Sequence, residues 1–159
     1  MRGVLSLCFA SLLVAALAAR ERPLPAFTVT APDGRSVASA ELWSEGRWLL
    51  VYVTPQCPAC DRLLDALGAW ALPAGAARTV VVVRAPLDAA GSYLARHLPP
   101  ESDAIAWFAD PDGRTGQALG TRWTPALAGI EAGRIAWQIA GVLNDPSAVE
   151  PVIRTWLER

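Results

Sequence analysis

Cys57 and Cys60 stand two residues apart in the stretch Thr54-Pro-Gln-Cys-Pro-Ala-Cys60, between an apolar run at 48–53 and a helical-looking segment that begins at Asp61. Thiols at this spacing can form a disulfide, exchange it with a partner, or hold a soft metal ion such as Cu(I). The ring they would close is so small that it barely constrains the unfolded chain, so chemistry explains the pair better than stability does. A helix start carries partial positive charge and unpaired amide groups, both of which stabilise a thiolate. Cys57 is therefore expected to be the more exposed sulfur with the lower pKa. Cys60, one turn further in, is placed to attack a mixed disulfide formed at Cys57 and release the partner. Pro58 suits the first helical turn, where its missing amide hydrogen costs nothing.

Other chemistry finds less support. Zinc wants four ligands, and the chain offers a single histidine, His97, read as a surface residue of a helix far along the sequence. Asp110 and Asp112 lie in Asp-Pro-Asp-Gly, a common turn, and no further calcium ligands follow. Most of the seven tryptophans fall in predicted strands or helices and read as core. Trp123 is the exception, placed to lie beside the cysteines as part of a peptide-contact surface. Neither a metal nor an organic cofactor is expected.

The elements that must position the cysteines follow from periodicity. Residues 27–30 read as a short strand before a turn at Pro32-Asp33-Gly34, and 38–43 as a brief helix. The continuous apolar run 48–53 suits a strand buried on both faces. Residues 57–70 fit a helix, with Leu63, Leu64, Leu67 and Trp70 recurring on one side and Pro73 and Gly75 ending it. The β-branched run 79–83 is a strand, 86–98 a helix stopped by Pro99-Pro100, 105–108 a strand and 115–119 a short helix capped by Gly120. The runs 126–130 and 134–140 flank a hairpin, and Asn144-Asp145-Pro146 opens a closing helix to about residue 157. This alternation predicts one α/β domain with a mixed, largely parallel central sheet flanked by helices and an N-terminal strand extension.

Residues 1–19 are set apart. A basic start, an uncharged run from Val4 to Ala19 and small residues at its end describe a secretory signal peptide cleaved near Ala18 or Ala19, or a short retained anchor. Cys8 would leave with it, and residues 20–159 form the working domain. In an extracytoplasmic, periplasmic setting the remaining cysteine pair meets oxidising conditions. With 53% hydrophobic and 18% charged residues and a net charge of −1, the chain is globular, with no electrostatic reason to bind nucleic acid or an anionic membrane. Its 14 basic residues are all arginine, which is read as base composition rather than function.

The order of elements, the Cys-Pro-Ala-Cys at a strand–helix junction and the later Thr124-Pro125 before the final hairpin resemble the thioredoxin fold. The opening Phe27-Thr-Val-Thr-Ala-Pro-Asp-Gly34 resembles that of the secreted TlpA/ResA-like thiol-disulfide oxidoreductases. The stretch 54–64 is also similar to the thioredoxin-like accessory protein of methylamine dehydrogenase maturation. The resemblance implies a cis peptide at Pro125 facing the cysteines, with Thr124 offering backbone hydrogen bonds to a bound peptide. It further implies a protein-disulfide reductase acting on thiols and disulfides of secreted or periplasmic proteins and supplied by a membrane electron donor. Three departures stand out. Val51 occupies the place of a buried aspartate that helps deprotonate the second thiol, Leu63 that of a glutamate, and Gln56 that of a frequent tryptophan. Proton transfer at Cys60 is then left to water, Asp61 or another group. A non-catalytic binding or maturation module is the alternative from a different class. A peroxiredoxin reading fits Thr54-x-x-Cys57 but requires a proline where Leu50 stands.

Overall fold

The structure, a computed structural model, describes residues 22–43, 46–70, 78–99, 105–141 and 145–158. The signal-like segment 1–19, the helix stops at Pro73, Gly75 and Pro100, and the capping Asn144 lie outside the described residues. Among the described residues there are eight strands: β1 (Arg22–Pro23), β2 (Thr28–Thr30), β3 (Ser36–Ala38), β4 (Arg47–Val53), β5 (Thr79–Val83), β6 (Ile105–Ala109), β7 (Ala126–Glu131) and β8 (Arg134–Ala140). They form one sheet in the order β1-β8-β7-β4-β5-β6-β2-β3. The described α-helices, α1 (Pro58–Ala69), α2 (Leu87–Leu94), α3 (Arg114–Leu119) and α4 (Glu150–Glu158), flank it.

The sheet is mixed but not largely parallel. Among the described strands only β4, β5 and β6, joined through α1 and α2, run parallel. The hairpins β2–β3 and β7–β8 give antiparallel neighbours, and β7 returns beside β4 antiparallel after α3. Tight turns of a few residues dictate that direction, whereas a parallel pair needs a long crossover. The turn between β7 and β8 places Ala132 and Gly133 at φ of 47° and 71°, the left-handed pair that matches strand twist. The predicted helix at 38–43 is a single 3-10 turn, Ser39–Glu41. The closing helix is likewise split into a 3-10 turn, Pro146–Ala148, with Asp145 as its N-cap, and α4.

Because β4 and β5 lie mid-sheet, each buries both faces, and this divides the core in two. On one face Leu49, Val51, Val53, Val81 and Val83 pack with Cys60, Leu63, Leu64 and Leu67 of α1, Tyr93 and Leu94 of α2, and Ile153 and Leu157 of α4. On the other, Trp48, Leu50, Tyr52, Val80 and Val82 pack with Phe27, Val29, Leu119 and Ile130. The α4 helix is locked down by Trp156, whose indole nitrogen donates to the Trp48 carbonyl at 3.0 Å and whose ring meets Trp137 edge to face. The glycine that weakens the helical pattern of α1 has a packing reason. A Cβ on Gly68 would lie 3.1 Å from the His97 carbonyl, because the chain after α2 crosses α1 there.

Candidate active site

The chain leaves β4 through Thr54-Pro55-Gln56 and turns sharply into α1. Gln56 takes up this turn at φ 63°, a left-handed conformation that a non-glycine residue adopts at a cost. Cys57 is the N-cap of α1 and Pro58 its first residue. The Cys57 carbonyl accepts from the amides of Cys60 (2.8 Å) and Asp61 (3.0 Å). The Cys57 sulfur accepts from the Cys60 amide at 3.2 Å. The Cys60 amide is thus shared between the Cys57 carbonyl and the Cys57 sulfur, and the sulfur takes the place of the oxygen that usually accepts at an N-cap.

Cys57 and Cys60 are joined as a disulfide, with Cα atoms 5.2 Å apart. Cys60 is fully buried, while Cys57 is half-buried and reaches the surface. Facing it is the loop before β7. The Thr124–Pro125 peptide is cis. Thr124 brings its carbonyl oxygen to 3.6 Å and its hydroxyl to 3.8 Å from the Cys57 sulfur. In the reduced state the hydroxyl can donate to a Cys57 thiolate, adding to the amide of Cys60. Pro125 is buried behind Thr124, and its carbonyl accepts from the Gly141 amide at 3.1 Å. Trp123 stands out from the same loop with 68% of its surface exposed. The structure thus brings Cys57, Cys60 and Thr124 into contact, with Pro125 and Trp123 on the same loop.

Beneath the disulfide the wall is apolar. Val51 and Leu63, at the positions where the resemblance has carboxylates, are fully buried in the core that holds Cys60. Asp61 carries the first carboxylate after the pair, but its Oδ1 accepts from Tyr93 Oη at 2.7 Å and lies 3.5 Å from His97 Nε2. The other ring nitrogen of His97, Nδ1, is 2.8 Å from Asp65 Oδ1. His97 is therefore not a free residue on a helix surface. It sits in the turns after α2 with 15% of its side chain exposed, closed in by two carboxylates of α1 and the edge of the Tyr93 ring. Burial, reinforced by the bond to Asp61, holds the Tyr93 phenol well above its ordinary pKa.

Asp110, read as part of a turn, is buried and has a structural task. Its two oxygens accept from the amides of Arg114 and Thr115 at 2.9 Å each, capping α3. Its charge, after burial itself, also raises the Tyr52 phenol, which is pushed up to about 12.

Comparison with known proteins bears on the fold. No protein-family model matches the chain, and no curated protein matches it. Among solved structures, a secreted Mycobacterium tuberculosis disulfide oxidoreductase homologous to E. coli DsbE is 19% identical, with a TM-score of 0.63 over 81% of this chain and 95% of that one. A Chlorobium tepidum protein described as a candidate thiol:disulfide interchange protein DsbE is 21% identical, with a TM-score of 0.65 over 86% and 96%. Apo Sco1 from Thermus thermophilus is 18% identical, with a TM-score of 0.62 over 86% and 90%. At these identities the likeness shows the fold, and the fold is thioredoxin-like.

Proposed function

We propose that the chain is an extracytoplasmic thiol-disulfide oxidoreductase that exchanges disulfides with secreted proteins, working as a reductase. The observation that carries this reading is the Cys57–Cys60 disulfide at the N-terminus of α1, with its outer sulfur half-exposed and facing Thr124. In the reduced protein the Cys57 thiolate attacks a partner disulfide. A mixed disulfide forms and one partner sulfur leaves as a thiolate. The Cys60 thiolate then attacks the Cys57 sulfur, releasing the second partner sulfur and leaving the Cys57–Cys60 disulfide. Two electrons pass to the partner, and a dithiol donor, by resemblance one at a membrane, restores the pair. The amide of Cys60 and the helix N-terminus favour charge on Cys57, so Cys57 is the nucleophile and Cys60 the resolving thiol.

The DsbE-like likenesses support this reading, and one of them is described as secreted. With Cys60→Ser, partners should accumulate as mixed disulfides through Cys57. Trapping that survives Cys57→Ser and requires Cys60 would reverse the two roles, and no trapping by either variant would refute exchange. Export is tested separately, by sequencing the N-terminus of the mature protein. An intact Met1 on a cytoplasmic product would end that part of the proposal.

The apolar setting of Cys60 favours one second reading, a thioredoxin-like maturation or binding module that does not turn over. Failure of a model dithiol to exchange with the Cys57–Cys60 disulfide would select it.

A further inference from the structure

Among the described residues two large apolar side chains are exposed, Val152 at 42% and Trp123 at 68%. Val152 lies on α4, in a different part of the chain from the disulfide. Trp123 lies one residue from Thr124, whose carbonyl and hydroxyl oxygens both approach the Cys57 sulfur. An indole is among the largest apolar surfaces a residue can offer, and leaving one in water forgoes burial that would stabilise the fold. Its backbone is also held. Thr121 Oγ1 accepts from the Trp123 amide at 3.2 Å and donates to the Trp123 carbonyl at 2.9 Å, closing a short polar turn around the residue. A ring on an ordered loop loses less freedom when it meets a partner than one on a mobile loop.

We propose that Trp123 determines which partners are used. It selects protein segments that carry an aromatic or long aliphatic side chain within two residues of the cysteine being exchanged, and it disfavours disulfides flanked by small polar residues. This inference rests on the redox reading above and names its substrate class. The reach follows from chain geometry. Consecutive Cα atoms are about 3.8 Å apart, and an extended partner advances about 3.3 Å per residue. With the partner sulfur bonded to Cys57 beside Thr124, a side chain one or two residues along can therefore lie on the indole. The neighbouring Arg122 is exposed and adds a polar rim to this apolar platform.

The test uses two synthetic disulfide-bonded peptides that differ only in a leucine or a serine next to the cysteine. The full chain should reduce the leucine peptide with a kcat/KM about tenfold higher, the factor that 1.4 kcal/mol of contact supplies. Trp123→Ala should bring that ratio close to one, and Trp123→Phe should keep most of it. Because the readout is a ratio between two peptides, a general loss of reactivity or of folded protein cancels. Equal rates for the two peptides with the unaltered chain, or an unchanged ratio in Trp123→Ala, would overturn the inference while leaving the redox reading in place. If neither peptide nor dithiothreitol exchanges with the Cys57–Cys60 disulfide, the redox reading fails and this one with it.

Discussion

The chain contains two tyrosines and no lysine. In the oxidised protein from residue 20 onward, these two phenols are the only side chains whose ordinary titration falls between about pH 9 and 12, since arginine stays charged above that range. Both are buried, Tyr52 at 3% exposure and Tyr93 at 2%, and both are shifted upward. Burial is the first cause in each case, followed at Tyr52 by the charge of Asp110 and at Tyr93 by the bond to Asp61. Raising the pH is therefore a clean probe of the two positions where the core meets carboxylates near the ends of β4 and α2.

Each phenol is neutral in both folded and unfolded chains below about pH 10. Above that, the unfolded phenol releases its proton and the buried one keeps it, so the unfolded state gains and stability falls as pH rises. A difference of one proton is worth about 1.36 kcal/mol per pH unit, so the two tyrosines together lower stability by about 2.7 kcal/mol per unit. At about pH 11 the accumulated loss is about 2.8 kcal/mol relative to pH 8, a large share of the 5–15 kcal/mol typical of a domain. Near pH 12 the Tyr52 contribution levels off, because the folded phenol itself begins to titrate there. Urea unfolding followed by tryptophan fluorescence at several pH values measures the slope, and Tyr52→Phe or Tyr93→Phe should each remove about half of it. Ultraviolet absorbance of tyrosinate gives an independent reading. Two phenols ionising near pH 10 in a protein that stays folded would show that burial does not hold them neutral.

Resolution of mixed disulfides should be slow near neutrality and rise about tenfold per pH unit towards a free thiol's pKa of about 8.5, because no carboxylate stands at Val51 or Leu63 to take the Cys60 proton. Stopped-flow rates with a preformed mixed disulfide check this. Val51→Asp should speed the step at neutral pH, at some cost in stability, and a flat profile from about pH 6 to 9 would show that another group already acts as the base. Gly116→Ala should destabilise the fold by about 1–3 kcal/mol, since the added Cβ would lie 2.8 Å from the buried Tyr52 ring. Denaturant midpoints with an unchanged slope measure that loss.

The cysteine pair and its place at the start of α1 were legible because every signal for them is local. The spacing of Cys57 and Cys60, the apolar run before them and the proline between them all fall between residues 48 and 60, and α1 begins one residue after the predicted start. The β-branched run of β5 and the hairpin between β7 and β8 were legible for the same reason. The shortest strands were not. The two residues of β1 include a proline, and β3 has three residues, so neither is long enough to show an alternation. The pairing of β1 with β8 also depends on which edge of the sheet is free, and that is a property of the assembled fold.

The same division explains the surroundings of Cys60. Val51 and Leu63 could be placed from the sequence because the strand and helix periods fix which way they face. Asp61 could be noticed as a carboxylate next to the pair, but its partners Tyr93 and His97 lie more than thirty residues away and meet it only because the chain after α2 packs on α1. Gly68 is the local trace of that contact, since a larger residue would strike the His97 carbonyl. The consequence is chemical as well as structural. With Asp61 Oδ1 engaged by the Tyr93 hydroxyl and facing the His97 ring, the nearest acid in sequence is tied into the α1–α2 contact, while Cys60 is enclosed by apolar side chains. The arrangement therefore separates the roles within one turn of helix: hydrogen-bond donors gather at the outer sulfur, and the inner one is left without a carboxylate from Val51 or Leu63.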